Sequence, residues 1–248
     1  MRVEAGGHSL EVVSEGPRGG PAVVFIHGLA ASLSVWSEQA RALSDSFFTI
    51  RYDLRSHGAS DATRVECSRH DLAVDLIHVL DGLSIEKAAL VGHSGGGVVA
   101  MQTAVDFPDR VSALCLVGTA SECNDATAAW YRETAVRARA EGGEAAMRAM
   151  RMSSGPAPDG AGLACVALAM SSLNQDPLSG PMSSVGVPTL VVVGDNDFLG
   201  AGGSVILSRL VAGSELEIVK GAGHGVYQEK SLWFCQRLRE FLDKSVFG

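Results

Sequence analysis

The segment Gly92-His93-Ser94-Gly95-Gly96 holds a serine whose hydroxyl could act as a nucleophile. It follows the apolar run 88–91 and precedes a second apolar run, 98–101, a pattern typical of a strand, a sharp turn and a helix. Such a turn exposes the serine at its apex, and glycines two positions to either side avoid crowding there. The Gly95 amide then lies at a helix N-terminus, where a free donor favours a developing oxyanion.

A serine nucleophile needs a histidine base, and that base needs an acid to orient it. His224 lies on a glycine-flanked loop directly after the strand-like run 216–219, so it is placed to reach across a sheet edge. The β-branched run 189–193 is typical of a buried strand and leads into Asp195 and Asp197. We favour Asp197 as the acid because it lies past the turn that ends the strand, whereas Asp195 is suited to stabilising that turn.

Ser94, Asp197 and His224 follow one another in the chain order expected when a nucleophile sits on a strand-to-helix turn. Glu122 and Asp125 come after the preceding strand-like run and stay open as alternative acids. Such a set of side chains supports attack on a carbonyl carbon and formation of an acyl-enzyme.

Five motifs in this chain resemble those of the α/β-hydrolase superfamily. In chain order they are Phe25-Ile26-His27-Gly28-Leu29, the loop 53–60, Gly92-His93-Ser94-Gly95-Gly96, Gly194-Asp195-Asn196-Asp197 and Gly221-Ala222-Gly223-His224. The loop departs from the family pattern at Ser56, where glycine is usual. The resemblance extends from about residue 8 to residue 245, and its first two motifs are similar to those of bacterial enol-lactonases and small carboxylesterases.

The resemblance implies roles for residues around the nucleophile. It implies that the backbone N–H groups of Leu29 and Gly95 form the oxyanion hole. Four residues are candidates for binding substrate through their side chains: His93, Leu29, Trp130 and Met147. Tyr131 is a further aromatic candidate, although aromatic and methionine side chains at helical spacing also serve as core. The resemblance implies no cofactor, and no cysteine–histidine cluster has the spacing of a metal site.

Apolar runs that alternate with amphipathic stretches predict an α/β fold. The predicted strands are 22–26, 47–52, 88–92, 111–117 and 189–193. Most are apolar on both faces, which is typical of parallel strands covered by helices on both sides. With the resemblance, this predicts an α/β-hydrolase fold with a mostly parallel central sheet flanked by helices. We expect residues 1–118 and 186–248 to form this core, with a helical cap inserted at 119–185.

The predicted cap contains two helical stretches, 128–152 and 162–173, separated by a turn-rich break. It is rich in alanine and methionine and poor in aromatic residues, so we expect an apolar lid that favours small to medium acyl groups. An arginine turned inward would instead favour a carboxylate-bearing substrate; the candidates are Arg132, Arg137, Arg139, Arg148 and Arg151.

The composition restricts the possible partners. The chain has 248 residues and a net charge of −8, from 20 basic and 28 acidic residues, which argues against nucleic acid as a partner. No stretch is long and apolar enough to predict a membrane span, and the N-terminus lacks an apolar signal core. Five cysteines without paired spacing predict reduced thiols in a cytoplasmic protein.

These observations favour a serine hydrolase that cleaves a small-molecule ester or lactone. Three alternatives use the same triad: a cofactor-free perhydrolase or haloperoxidase, a carbon–carbon bond hydrolase, and a small-molecule receptor with very slow turnover. Epoxide hydrolases and dehalogenases are disfavoured because they need aspartate in place of Ser94.

Overall fold

The computed structural model describes residues 1–63, 66–150 and 156–247, in which eight strands form one sheet. They are β1 (Arg2–Glu4), β2 (Ser9–Glu15), β3 (Ala22–Ile26), β4 (Phe48–Tyr52), β5 (Ala88–His93), β6 (Val111–Val117), β7 (Thr189–Gly194) and β8 (Glu215–Val219). Their order across the sheet is β1-β2-β4-β3-β5-β6-β7-β8. The β1–β2 and β2–β4 pairs are antiparallel, and the other pairs are parallel.

Helices connect the strands and cover the sheet. The α-helices of the described residues are α1 (Ser37–Leu43), α2 (Arg69–Gly82), α3 (Gly95–Asp106), α4 (Asp125–Glu141), α5 (Gly143–Ala149), α6 (Gly160–Ser171), α7 (Ser179–Met182), α8 (Gly202–Leu210), α9 (Val226–Glu229) and α10 (Ser231–Phe247). Short 3-10 segments lie at Leu33–Trp36, Pro108–Arg110 and Ser172–Asn174. Within the part of the chain described, no helix is long and apolar enough to cross a membrane.

Both faces of the sheet bury apolar side chains, which explains why the central strands lack an alternating pattern. Leu90 on β5 belongs to a hydrophobic cluster that includes residues of α2 and α3. Its neighbour Val91 belongs to a second cluster, on the other face, which includes residues of α1 and α10. The predicted fold class, a mostly parallel sheet flanked by helices, is therefore confirmed.

The predicted strands are found to within one residue at each end, whereas the helix predicted at 128–152 is divided. Gly142 has a φ of 89°, a left-handed conformation that ends α4 before α5 begins. The last two residues of that prediction, and the first part of the turn-rich break, lie outside the described residues. The division of the chain into core and cap stays a prediction.

Helices α4 to α7 lie between β6 and β7, in the segment predicted as the cap. Cys165 on α6 is joined by a disulfide to Cys67, which precedes α2 in the core. The expectation of five reduced cysteines is therefore wrong for this pair, because the fold brings together two residues 98 positions apart. Cys67 and Cys165 therefore do not support the prediction of a cytoplasmic protein, which assumed that all five cysteines are reduced.

Candidate active site

Ser94 occupies the sharp turn between β5 and α3. Its φ of 53° and ψ of −119° form a strained conformation of the kind found at functional sites. Glycine is required on both sides of this turn. A Cβ atom on Gly92 would overlap the Gly96 carbonyl group, and one on Gly96 would lie 2.6 Å from the carbonyl oxygen of His27. The sequence thus permits a turn that other residues would prevent.

The imidazole of His224 is paired with Asp197. Its Nδ1 lies 2.8 Å from Asp197 Oδ2, and the other carboxylate oxygen accepts a hydrogen bond from the Leu199 amide at 2.9 Å. Asp195 instead accepts from the Gly221 amide at 2.7 Å, so it stabilises the turn between β7 and the His224 loop. A carboxylate at Nδ1 holds a neutral imidazole in the tautomer whose Nε2 can accept a proton.

The other two candidate acids are occupied elsewhere in the fold. Glu122 accepts a hydrogen bond from the Ser179 hydroxyl at 2.6 Å, and Asp125 accepts from the Asn174 amide at 3.0 Å. Neither is paired with His224 in the described residues, so the geometry favours Asp197 as the partner of that imidazole.

Ser94 and the His224–Asp197 pair lie at the same end of the sheet. The Ser94 amide donates to the Val117 carbonyl at 2.9 Å. A Cβ atom on the next residue, Gly118, would lie 3.2 Å from both His224 Nδ1 and Asp197 Oδ2, so the backbone after β6 is close to this pair. Among the described residues, the Ser94 hydroxyl has no hydrogen-bond partner. Catalytic hydrogen bonds are often made only when substrate is bound.

Two backbone amides lie close to the turn that carries Ser94. A Cβ atom on Gly95 would lie 3.4 Å from the Leu29 nitrogen, and one on Gly28 would lie 3.2 Å from Ser94 Cβ. The loop after β3 therefore packs directly on the turn that carries Ser94. No acceptor within the described residues is bonded to the N–H of Leu29 or of Gly95. Both donors are free for a ligand oxygen.

His93 is buried beside this turn, and its Nε2 lies 3.0 Å from the His224 carbonyl oxygen. Burial lowers the pKa of His93 to about 3, so its imidazole is neutral. Its ring centroid lies 4.6 Å from that of His224. The side chain predicted to bind substrate therefore contacts the backbone of the His224 loop. The sequence around Ser94 could not predict this contact, because His93 and His224 are 131 positions apart in the chain.

A cavity of about 300 Å³ opens beside Ser94. Its lining residues are Ser94, Val98, Gly118, Thr119, Ala120, Glu122, Cys123, Asn124, Thr127, Tyr131, Leu173, Asp197, Leu199, Gly200, Gly203, Ser204 and Ile206. Most of its wall comes from the loops after β6 and β7 and from the first turns of α4 and α8. Within the described residues, no group of histidine, cysteine and acidic side chains could hold a metal ion.

The four predicted substrate-binding residues lie outside this lining. Leu29 and Met147 are buried as members of the hydrophobic cluster that also contains Leu90. Trp130 is half-buried against Tyr131, with ring centroids 5.0 Å apart, and Tyr131 is the member of this pair that reaches the cavity. Adjacent helical residues point about 100° apart, so only the rotation of α4 decides which one faces the site.

None of the described arginines of the predicted cap lines the cavity. Arg132 is exposed, and three others form ion pairs at the surface: Arg137 with Glu133, Arg139 with Glu66, and Arg148 with Glu144. Arg151 lies outside the described residues. Within those residues the lining contains no lysine or arginine, and its ionisable groups include the carboxyls of Glu122 and Asp197.

The family described as alpha/beta hydrolase fold matches residues 21–149. 3-Oxoadipate enol-lactonase 2 of Acinetobacter baylyi is 36% identical over 130 residues, which are 52% of this chain and 48% of that relative, so the match spans about half of its length. A Bacillus subtilis protein, provisionally named a 2-succinyl-6-hydroxy-2,4-cyclohexadiene-1-carboxylate synthase, is 30% identical over 93% of both chains. The crystal structure of the enol-lactonase from Burkholderia xenovorans LB400 superimposes with a TM-score of 0.87 at 26% identity, covering 98% of this chain and 99% of that one.

Proposed function

Because this chain belongs to the alpha/beta hydrolase fold family, we propose that it is a serine hydrolase of carboxylic esters or lactones that works through an acyl-enzyme. The observation that carries this proposal is the 2.8 Å bond between His224 and Asp197 at the same end of the sheet as Ser94. The free amides of Leu29 and Gly95 complete the set of groups that acyl transfer needs.

In the proposed reaction, Ser94 Oγ attacks the substrate carbonyl carbon while His224 Nε2 takes its proton. The oxyanion that forms accepts hydrogen bonds from the amides of Leu29 and Gly95. Collapse of this intermediate breaks the carbon–oxygen bond, and His224 returns the proton to the leaving oxygen. Water then attacks the acyl-enzyme, with His224 again as the base, and releases the acid. Asp197 stabilises the imidazolium that forms in each step.

We further propose that the substrate is small and uncharged. A cavity of about 300 Å³ is at the small end of the range of ligand pockets, and Val98, Tyr131, Leu173 and Ile206 make part of its wall apolar. The carboxylate of Glu122, an exposed residue of the lining, would repel an anionic substrate. The cap residues thus affect which ester enters and leave the chemistry to the core.

A panel of uncharged esters and lactones, assayed with purified protein, tests this function. We expect sustained turnover of at least one class, and Ser94→Ala should lower kcat by roughly 10³- to 10⁶-fold. Ser60→Ala is a matched control in the loop after β4, away from the cavity lining. Turnover that survives Ser94→Ala, or a single modification without turnover, would contradict the proposal.

A further inference from the structure

Two buried histidines make hydrogen bonds to the backbone on either side of Leu29. His27 Nδ1 lies 2.8 Å from the Gly28 carbonyl oxygen, and His57 Nε2 lies 3.2 Å from the Ala30 nitrogen. Both side chains are fully buried, and neither lines the cavity beside the nucleophile. They therefore act on the loop after β3 and do not touch a ligand.

The opposite nitrogen of each ring fixes its tautomer. His27 Nε2 accepts from the Leu54 amide at 3.0 Å, so its proton is on Nδ1 and is donated to Gly28. His57 Nε2 accepts from Ala30, so its Nδ1 proton is donated to the Arg55 carbonyl at 3.0 Å. Each ring satisfies both bonds only when it is neutral. Burial lowers the pKa of both imidazoles to about 4, which keeps them neutral near pH 7.

These bonds determine the orientation of the peptide groups around Leu29. The Gly28 carbonyl and the Leu29 N–H belong to one planar peptide group, so the bond from His27 restrains that plane at its oxygen without fixing its rotation. The bond from Ala30 to His57 restrains the next peptide plane, and the two planes meet at the Leu29 Cα, so both bonds together determine the direction of the Leu29 N–H. Ala30 has a φ of 59°, a left-handed conformation that residues other than glycine rarely adopt. If the buried Ala30 N–H had no acceptor, the folded loop would carry the cost of an unpaired donor, and Ala30 would tend to leave this conformation.

We propose that His57 is a positioning residue that, through Ala30, holds the Leu29 N–H in the direction required by the oxyanion. This inference rests on the proposed function, in which that N–H is one of two oxyanion donors. Donors of this kind accelerate a reaction only when they are fixed before charge develops. Loss of His57 should therefore weaken transition-state binding more than substrate binding.

The surrounding contacts allow the loop to stay folded when His57 is replaced. Asp53 accepts from the Leu33 amide at 2.7 Å and from the Ala59 amide at 2.8 Å, which ties together the loops that follow β3 and β4. The His27 ring, 5.4 Å from that of His57, keeps its own two bonds. A substitution at His57 therefore removes one acceptor and leaves the other links between these loops.

Two substitutions separate positioning from simple packing. In His57→Gln, the side-chain oxygen can replace Nε2 as the acceptor for Ala30, whereas His57→Leu has no acceptor. We expect His57→Leu to lower kcat at least tenfold and to change KM less than twofold, and we expect His57→Gln to recover at least a third of the wild-type kcat. Each kcat is divided by the concentration of active sites, measured from the p-nitrophenol burst with p-nitrophenyl acetate.

Benzeneboronic acid, which forms a tetrahedral adduct with a serine nucleophile, provides a second readout. Its inhibition constant should rise in His57→Leu by about the same factor as kcat falls, because both report binding of the tetrahedral state. His70→Leu, a change at an exposed histidine bonded to Asp106, is the matched control and should alter neither quantity.

The outcomes are distinct. If the wild-type protein shows the burst, and His57→Leu has the same kcat and inhibition constant as the wild type, this inference alone is overturned. That holds even if the melting temperature of His57→Leu falls. If His57→Leu does not fold, the test uses His57→Gln. When the wild-type protein shows the burst, a fall of kcat in His57→Gln that is matched by an equal rise of KM overturns the inference. Turnover of p-nitrophenyl acetate that Ser94→Ala does not reduce overturns the proposed function and this inference with it.

Discussion

At the residue scale, two aspartates of one loop make different bonds. Asp197 is bonded to His224 and is almost fully buried, whereas the exposed Asp195 is bonded to a backbone amide. An imidazole that loses its carboxylate partner can adopt the wrong tautomer, while a loop that loses one exposed hydrogen bond keeps its shape. Loss of the Asp197 carboxylate should therefore lower activity far more than loss of the Asp195 carboxylate, and neither loss should unfold the protein.

We expect Asp197→Asn to lower kcat by roughly 10²- to 10⁴-fold with the fold intact. Asp195→Asn, the matched control two residues away, should keep kcat within about threefold of the wild type, because its Gly221 contact can still be made by an amide oxygen. Steady-state kinetics on one ester, with circular dichroism of each variant, checks this. A larger fall of kcat in Asp195→Asn than in Asp197→Asn would show that Asp195 is the acid.

Side-chain direction limits what the sequence predicts at this scale. Ser94, His224 and Asp197 could be proposed from the sequence because their motifs fix both residue type and chain order, and the pairing of His224 with Asp197 agrees with that proposal. The contacts of His93 and the choice between Trp130 and Tyr131 could not, because they depend on the rotation of a helix and on packing between distant loops. Residues that act through the backbone, such as His57, give no chemical signal in sequence beyond their type.

At the scale of elements, the turn between β5 and α3 must lie very close to β3. The Cβ position of Gly96 overlaps the Ile26 carbonyl, so any larger residue must push the turn away from the strand. The positions of Ser94 and the Gly95 amide depend on this approach. Crowding here should reduce stability and activity together.

Gly96→Ala should lower the free energy of unfolding by about 1–3 kcal/mol, the usual cost of inserting a methyl group into closely packed backbone. It should also lower kcat, because Ser94 moves with the turn. Gly186→Ala is the control: its Cβ position has no atom within 4 Å, and the change should stay within about 0.5 kcal/mol. Urea denaturation measures both. Equal stability of the two variants is the result that we do not expect.

The charge near the cavity makes a prediction about the loop after β6. Glu122 is exposed in the lining, so solvent screens its field and its effect should be a few-fold. We therefore expect kcat/KM to be a few-fold higher for p-nitrophenyl butyrate than for p-nitrophenyl hemisuccinate. Glu122→Gln should narrow this ratio, and Glu144→Gln, which lies in a surface ion pair, should not.

A preference of the wild-type protein for the acidic ester would contradict the proposal of an uncharged substrate. A ratio that Glu122→Gln and Glu144→Gln change equally would show that the effect is not local to the cavity.

Apolar runs predict the central strands because burial on both faces requires them. The edge strands β1 and β2 were missed, since they are short or only partly buried and β2 mixes apolar with polar residues. The end of α4 was missed because a Gly-Gly pair within an alanine-rich stretch is compatible with either one helix or two.

For the molecule as a whole, three neutral histidines are buried near the candidate site. Burial lowers the pKa of His27 and His57 to about 4 and that of His93 to about 3. The unfolded chain takes up protons at these positions as the pH falls below about 6.5, whereas the folded protein does not. The free energy of unfolding should therefore fall as the pH decreases from about 6.5 to about 4.

Each such histidine adds at most about 1.4 kcal/mol per pH unit to this slope. His93→Gln removes one of them, so its stability should depend less steeply on pH in this range, whatever its stability at pH 7. Urea denaturation at intervals between about pH 4.5 and 7 measures the slopes. Equal slopes for the wild type and His93→Gln would show that His93 is not buried as a neutral imidazole.

The central claim, an acyl-enzyme on Ser94, is tested most directly by trapping it. The reaction with p-nitrophenyl acetate is quenched in acid during the burst, and the digested protein is analysed by mass spectrometry. We predict one acetyl group per chain, on Ser94, and none in Ser94→Ala. An acetyl group on another residue, or steady turnover with no acetylated Ser94 at any time, would contradict the account.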